Sequence, residues 1–357
     1  MSKTSASPTP HALNFRMPAE WELHEATFLG WPHELTDWPG KFAPIPWAFA
    51  EIVRHVARDE EVFLLVENRA AEGRVKSILK KSHVHLENVT FCRIPTDRGW
   101  LRDSGPICVI NDSRESAFNN FLFNGWAKYA NHKKDAQVAA RVAMHLKRRL
   151  FLPMHQERRI VLEGGSIDVN GRGTLLTTEE CLQGKIQERN PGFTREDYEE
   201  IFRSFLGVTN VLWLKNGIAG DDTHGHVDDL ARFVNPTTVV TVVEDDPRDA
   251  NYAALQENLA QLKDMKDQDG RALRVETLPM PVPVFFAGQR LPASYANFYI
   301  ANKTVLVPTF NDPRDRVALN TLSGLFPERE VVGIACRDLV LGLGTIHCMT
   351  QQLPSSR

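Results

Sequence analysis

Apolar residues recur along the chain in two alternating periods. Short runs rich in β-branched and aromatic side chains read as strands: Ala26 to Trp31, Val62 to Val66, Val89 to Ile94, Pro106 to Ile110, Thr174 to Thr177, Asn210 to Leu214, Thr237 to Val243, Leu273 to Thr277, Ala296 to Ile300 and Thr304 to Pro308. Between them the spacing changes to that of a helix face. Phe49, Ile52, Val53 and Val56 follow it, as do Val138, Val142 and Leu146, and Tyr252, Leu255, Leu259 and Leu262. A further helix begins at Asp312-Pro313-Arg314-Asp315, where an aspartate can cap, a proline suits the first turn and a second acid favours the positive helix end. Its apolar face would be Ala318, Thr321, Leu322 and Leu325. Strands and helices alternate several times, with paired strands between helices, which predicts an α/β or α+β class. No repeat of 20–50 residues stands out.

Length alone, 357 residues, would suggest two domains at about 150 residues each. Proline and glycine are spread evenly, however, and no linker interrupts the chain. Residues 14–357 therefore read as a single domain, preceded by a flexible tail over residues 1–13. With 42 Lys+Arg against 45 Asp+Glu, the charge balance argues against nucleic acid as a partner. The longest apolar runs fall far short of the ~20 residues of a membrane span. Met1 to Pro10 is rich in Ser, Thr and Pro and does not read as a secretory signal. Five scattered cysteines without CxxC spacing (Cys92, Cys108, Cys181, Cys336, Cys348) predict neither a disulfide scaffold nor a Cys-ligated zinc site. A cytoplasmic chain with reduced thiols is the expectation.

Four segments carry candidate chemistry. In Asp221-Asp222-Thr223-His224-Gly225-His226-Val227-Asp228-Asp229, an extended backbone would turn His224, His226 and Asp228 to one face. That face could hold zinc or iron. Equally, one histidine could act as acid and base while Asp228 orients a substrate, or the segment could be a polar turn closing into the strand Leu230 to Val234. Trp100-Leu101-Arg102-Asp103-Ser104-Gly105-Pro106 reads as a turn before a strand, or as an aromatic and anionic wall suited to a flat cation. Leu162-Glu163-Gly164-Gly165-Ser166 lacks the helix and lysine of a phosphate loop; it reads as a Gly-Gly hairpin, or as a carboxylate that positions a histidine. Near the end, Gly342-Leu343-Gly344-Thr345-Ile346-His347-Cys348 presents a cysteine on a glycine-rich turn. It is either a buried apolar residue or a nucleophile. In an extended segment His347 would face away from Cys348, so it is not expected to be the catalytic partner.

Together these segments resemble one family. Met17-Pro18-Ala19-Glu20-Trp21-Glu22-Leu23-His24-Glu25-Ala26-Thr27 resembles the opening of agmatine deiminases and bacterial peptidylarginine-deiminase-like proteins. Trp100 to Pro106, Glu163 to Ser166, Thr174 to Cys181, Gly225 to Asp228, Ala293 to Tyr299 and His347 to Gln352 resemble the same family in the same order. The match covers about residues 15–353. It implies a pentein fold: an α/β propeller of five ββαβ-type units around a pseudo-fivefold axis, roughly 70 residues each, too long and diverged to be seen as short repeats.

The resemblance also implies hydrolysis of a guanidinium to a ureido group and ammonia, most simply agmatine to N-carbamoylputrescine. The family's motif residues fall on Cys348 as nucleophile, His226 as acid and base, Glu163 as its orienting carboxylate, and Asp103 and Asp228 as carboxylates that clamp the guanidinium. Two acids can each take a pair of the five N–H donors of that planar cation. Trp100, Asp97 and Gly225 are expected to contact substrate, with Gly225 admitting it close to the backbone. No metal or organic cofactor is implied. A small guanidino compound is the expected partner and a homodimer the expected assembly, with neither nucleic acid nor membrane involved. A peptidylarginine substrate, or a metal-dependent amidohydrolase built on His224, His226 and Asp228, is the alternative. Departures touch the outer pocket. Many agmatine deiminases have Gly-Gly-Gly-Asn-Ile-His-Cys where this chain has Gly342 to Cys348 with Leu343 and Thr345. They often have Asn or Asp in place of His224, and the Asn-Asp-x-Trp pattern is here Thr96-Asp97-Arg98-Gly99-Trp100.

Overall fold

A computed structural model describes residues 8–356. Five sheets in it are built to one plan: two antiparallel strands, a helix, then a third strand parallel to the second. A parallel partner requires a crossover, and the helix supplies it. Ile107–Ile110 pairs with Ser116–Asn119, and helix Val138–Leu146 leads to Arg149–Phe151. Asp168–Val169 and Thr174–Thr178 are followed by helix Arg195–Leu206 and strand Asn210–Leu214. Ala231–Asn235 and Thr238–Val243 precede helix Tyr252–Asp264 and strand Arg274–Pro279. Tyr299–Ile300 and Thr304–Thr309 precede helix Arg314–Leu325 and strand Glu330–Ala335. The remaining unit takes a strand from each end of the chain. Thr350–Pro354 lies antiparallel to His24–Gly30, with Thr27 opposite Gln352, and helix Ile45–Val56 then leads to Glu61–Leu65. That sheet alone gains a fourth strand, Val89–Cys92, through helix Arg69–Lys81.

Local chemistry explains which elements were visible in advance. Helix Ile45–Val56 buries Ile45, Phe49, Ile52, Val53 and Val56 on one stripe, the spacing read from the sequence. Helix Arg195–Leu206 was not anticipated, although a capping box joins Thr194 and Asp197 and Gly207, at φ +69°, ends it. Helix Arg69–Lys81 buries only Val75 and Leu79, too little to give a period. The strands Ser116–Asn119 and Thr350–Pro354 are wholly buried and half polar, so neither alternates. Seven residues of the expected tail, 1–7, lie outside the described residues; His11–Leu13 forms one 3-10 turn, and Leu13 packs against the core that holds Phe15 and Phe202. Among the described residues no helix is long and apolar enough to cross a membrane, and all five cysteines are buried and free.

The C-terminal strand ties both ends of the chain together. Leu353 is fully buried with Phe28, Phe63, Leu65 and Leu101. Leu353→Ala is expected to lower the unfolding free energy by about 2–5 kcal/mol, read from the urea midpoint. An unchanged midpoint would mean that this strand does not hold the first sheet closed.

Candidate active site

The repeated plan places one short turn ahead of the first strand in every unit, and each turn delivers polar side chains. Asp103 sits in the turn Leu101–Ser104, just before Ile107–Ile110. Glu163 starts the 3-10 turn Gly164–Ser166 before Asp168–Val169. His226 and Asp228 belong to the turn Val227–Asp229 before Ala231–Asn235. Asn297 precedes Tyr299–Ile300, and Cys348 lies in the one-turn helix Ile346–Met349 before Thr350–Pro354. All six side chains are buried, and Cys348 is the most exposed of them at 6%.

A narrow gap separates His226 from the three carboxylates. His226 Nδ1 lies 3.9 Å from Asp103 Oδ1 and 4.0 Å from Asp228 Oδ1, and its Nε2 lies 3.8 Å from Glu163 Oε2. All three separations exceed a hydrogen bond. Both ring nitrogens, Glu163 Oε2 and Asp228 Oδ1 have no hydrogen-bond partner. The other oxygens are tied down. Asp103 Oδ2 accepts from Trp126 Nε1 at 2.9 Å and its Oδ1 from the Gly165 N–H at 3.0 Å. Arg189 Nε donates to Glu163 Oε1 at 3.0 Å, with both side chains fully buried. His347 Nδ1 lies 2.7 Å from Asp228 Oδ2. Gly165 makes this convergence possible. A Cβ there would stand 2.5 Å from His226 Nδ1 and 2.9 Å from Asp103 Oδ1, so the Gly-Gly pair serves close approach of charged groups rather than a hairpin.

The thiol adjoins this cluster through Asp228. Asn297 Nδ2 donates to Cys348 Sγ at 3.1 Å, and Sγ is 3.7 Å from Asp228 Oδ2. Cys348, Asp103 and Trp100 line a cavity of about 360 Å³ that opens to solvent. Trp100 leans on Trp38 with ring centres 5.6 Å apart and donates Nε1–H to Asp37 Oδ2 at 3.0 Å, which fixes its plane. Gly344 lets this wall stand beside the thiol, since a Cβ would lie 2.9 Å from Trp100 and 3.1 Å from Cys348 Sγ. Arg98, paired with Asp37, and Asp222, paired with Lys128, contribute further lining.

Burial sets the protonation of the site. It pushes the Cys348 thiol well above its usual range, and the carboxylates of Asp228, Asp229 and Asp103 add to the effect. Burial works against charge on His226, yet Asp103, Cys181 and Glu163 raise its pKa well above the ordinary value. Asp103 is pushed up to about 6 by burial, aided by Asp228 and Glu163 against the pull of His226. Glu163 is also desolvated, but Arg189 and His226 bring it down to about 2. The site thus holds a neutral thiol and an imidazolium, each near Asp228, with Asp103 poised between forms.

Several expectations need correction. Asp97 does not line the cavity: its Oδ2 accepts from the Lys134 N–H at 2.7 Å, so it braces a loop. Gly225 does not open toward the cavity either. Its φ of +96° demands glycine, and the Glu180 side chain fills the space where a Cβ would be, 2.9 Å away. The His224–His226–Asp228 metal face does not form. His224 has φ +67° rather than an extended backbone, and its Nδ1 lies 3.6 Å from Glu180 Oε1. The triads close enough to share an ion are Glu163–Cys181–His226 and Asp228–Asp229–Cys348, among the described residues. His347 is not in an extended segment, and the helical turn carries it to Asp228. Sequence reasoning did not single out Asn297, Arg189, Trp126 or Glu20. Only Asn297 and Glu20 fall in segments that drew attention, and nothing local marks any of the four as polar partners of the site.

The Arg189–Glu163 pair gives a stability test. Arg189→Met leaves the Glu163 carboxylate buried without its cation, and a loss of about 3–5 kcal/mol is expected in urea unfolding. A change below about 1 kcal/mol would show that the pair does not hold Glu163 in place.

The chain resembles known proteins over nearly its whole length. The sequence pattern of the Porphyromonas-type peptidyl-arginine deiminase family matches residues 16–354. An agmatine deiminase of Pseudomonas aeruginosa (strain LESB58) is 36% identical over 372 residues, covering 98% of each chain. The solved agmatine deiminase of Enterococcus faecalis superposes with a TM-score of 0.89 at 31% identity, covering all of both chains. An inosamine-phosphate amidinotransferase from Streptomyces griseus, 13% identical with a TM-score of 0.50 over 96% of this chain and 97% of its own, shares the mixed α/β fold alone. On the match over residues 16–354 and the full-length likeness to these deiminases, the chain belongs to the Porphyromonas-type peptidyl-arginine deiminase family.

Proposed function

We propose that the protein is a cysteine-dependent deiminase that hydrolyses agmatine to N-carbamoylputrescine and ammonia. The observation that carries this is the cluster itself: buried acceptors of Asp103, Asp228 and Glu163 around His226, with Asp103 and Cys348 both lining the cavity. A guanidinium is flat, cationic and rich in N–H donors, and the unpartnered Asp228 Oδ1 and Glu163 Oε2 offer it acceptors. The family and the agmatine deiminases it resembles supply the substrate class. We read the five units as closing around one pseudo-fivefold axis, in a single catalytic domain over residues 14–357, with the gap at the end of that axis where the five turns meet.

The reaction follows from the charges. Entry of a cation beside Cys348 offsets the carboxylates that hold its thiol neutral, and the proton passes from sulfur to solvent through the open cavity. Sγ bonds to the guanidinium carbon while Asp103 and Asp228 hold the outer nitrogens. His226, already protonated, donates to the departing nitrogen. The C–N bond breaks, ammonia leaves and a thiouronium remains on sulfur. Water then attacks the same carbon and gives a proton to His226; the C–S bond breaks and the urea product leaves with Cys348 restored. Glu163 fixes the imidazole and is itself fixed by Arg189. Water enters at one nitrogen's expense, so the balance is one guanidine and one water to one urea and one ammonia.

Ammonia and ureido product should form from agmatine, with free arginine and a peptidylarginine as comparison substrates. Cys348→Ala is expected to lower turnover by at least about a thousandfold, and a chelator to leave it unchanged. Activity that survives Cys348→Ala and disappears with chelator would overturn the reading; preference for the peptide would keep the chemistry and replace the substrate. The Asp103 carboxyl gives a pH dependence. Near pH 6 and below it is protonated in the free site, and a cation must displace that proton. In Cys348→Ala, where no thiol proton is released, the Kd for agmatine should therefore rise as pH falls through about 6, by up to about tenfold per pH unit, and be level above it. A Kd independent of pH from 5 to 7 in that variant would remove Asp103 from the clamp.

A further inference from the structure

A second histidine meets the clamp through its ring at Asp228, and its backbone N–H donates to the thiol's other partner, Asn297, at 3.1 Å. His347 Nδ1 is 2.7 Å from Asp228 Oδ2, and His347 Nε2 is 2.8 Å from Glu20 Oε2. All three side chains are buried. Glu20 is itself anchored. Its Oε1 accepts from Arg232 Nη2 at 2.9 Å and from the Ile300 N–H at 2.9 Å, and its Oε2 accepts from Arg102 Nη2 at 3.1 Å. Arg102 in turn donates to Gln352 Oε1 at 2.8 Å, which connects the chain to the C-terminal strand. An ionised carboxylate accepts and cannot donate. A ring that bonds two of them must donate from both nitrogens, so His347 is doubly protonated in this arrangement. Its charge is one cause of the lowered pKa of Asp228.

We infer that His347 is a positioning residue for the guanidinium clamp. It holds Asp228 Oδ2 with a charge-assisted bond and so leaves Oδ1, which has no partner and lies 4.0 Å from His226 Nδ1, turned into the gap to receive substrate. Without it, the other side-chain donor given to Asp228 Oδ2 is the Cys348 thiol at 3.7 Å. The clamp oxygen would then be free to turn toward the nucleophile instead of the substrate. The inference rests on the reading that Asp228 binds the guanidinium. It also gives the histidine next to the nucleophile a task distinct from proton transfer on the reacting nitrogen.

The two ring nitrogens allow the role to be separated from simple packing. An asparagine amide can present N–H close to the Nδ1 position, whereas a glutamine amide reaches toward the Nε2 position. Agmatine binding is measured by calorimetry in the Cys348→Ala background, where no turnover occurs. His347→Asn, which keeps a donor for Asp228, is expected to bind within about threefold of that parent. His347→Gln, which keeps a donor for Glu20 alone, is expected to bind about tenfold more weakly or worse. Adding His347→Gln to Asp228→Asn should cost less than about twofold beyond Asp228→Asn itself. Equal losses in the Asn and Gln variants, or losses of His347→Gln and Asp228→Asn that combine in full, would overturn the inference. If His347→Gln does not fold by thermal melt, the pair His347→Asn and Asp228→Asn decides: near-parent binding in the first with loss in the second supports it, and equal loss overturns it. Ammonia release by the unsubstituted protein is followed in parallel. Release with an overturned variant pattern removes this inference alone, while no release from any guanidine removes the deiminase reading and this one with it.

Discussion

Everything at the centre of this molecule turns on carboxylates kept out of water with some oxygens tied and others left open. A buried carboxylate is costly unless it is hydrogen-bonded or paired. Here Glu163 has Arg189, Asp228 has His347, and Asp103 has Trp126 and a backbone N–H. Those partners fix the position of each acid. The oxygens they leave unsatisfied, on Asp228 and Glu163, border the same gap as Nδ1 and Nε2 of His226. A site whose acceptors are desolvated and already oriented favours a cationic donor over water, because little reorganisation is needed when the cation arrives.

The fold supplies this arrangement by repetition. One turn per unit leads into the first strand, and the five turns carry Asp103, Glu163, the His226–Asp228 pair, Asn297 and Cys348. Residues separated by more than 240 positions thereby share a gap a few ångströms wide. The antiparallel pairing of Thr350–Pro354 with His24–Gly30 matters for the same reason. It seats the Cys348 turn against the opening segment that holds Glu20, so Cys348 and the Glu20 ion network are positioned by the same closure.

Much of the fold was legible where a stripe or run of apolar residues faced the core, as in Ile45–Val56, Tyr252–Asp264 and Thr238–Val243. It failed where burial was shared with polar atoms. Thr350–Pro354 is buried throughout yet contains Thr350, Gln351 and Gln352, whose partners come from other units: Gln352 Oε1 accepts from Arg102 and Gln351 Nε2 donates to the Pro106 carbonyl. The site divides in the same way. Cys348, His226, Glu163, Asp103 and Asp228 come together, and their motifs were readable in sequence. Asp97 and Gly225 stand next to motif residues but serve the backbone, one as a loop brace and the other at a left-handed turn. Arg189 and Trp126 were invisible because their significance lies only in what they touch. His347 was misjudged through a local assumption: alternation holds for strands, whereas one helical turn sends neighbouring side chains about 100° apart.

The protonation pattern of the resting site bears on how the proposed reaction is controlled. A cysteine beside a histidine often becomes a thiolate–imidazolium pair. Here His226 faces Asp103, Asp228 and Glu163, whereas Cys348 contacts Asn297 and Asp228. The imidazolium is stabilised by the acids, and the same acids oppose a thiolate. The Cys348 thiol is therefore kept neutral in the resting site. On this reading the guanidinium does two jobs: it is the electrophile, and its charge releases the proton that arms the sulfur. A neutral urea, the product, lacks that charge and no longer supports the thiolate. The electrostatics that start the first step thus also disfavour attack on the urea product, and they do so with groups whose positions are fixed before substrate arrives.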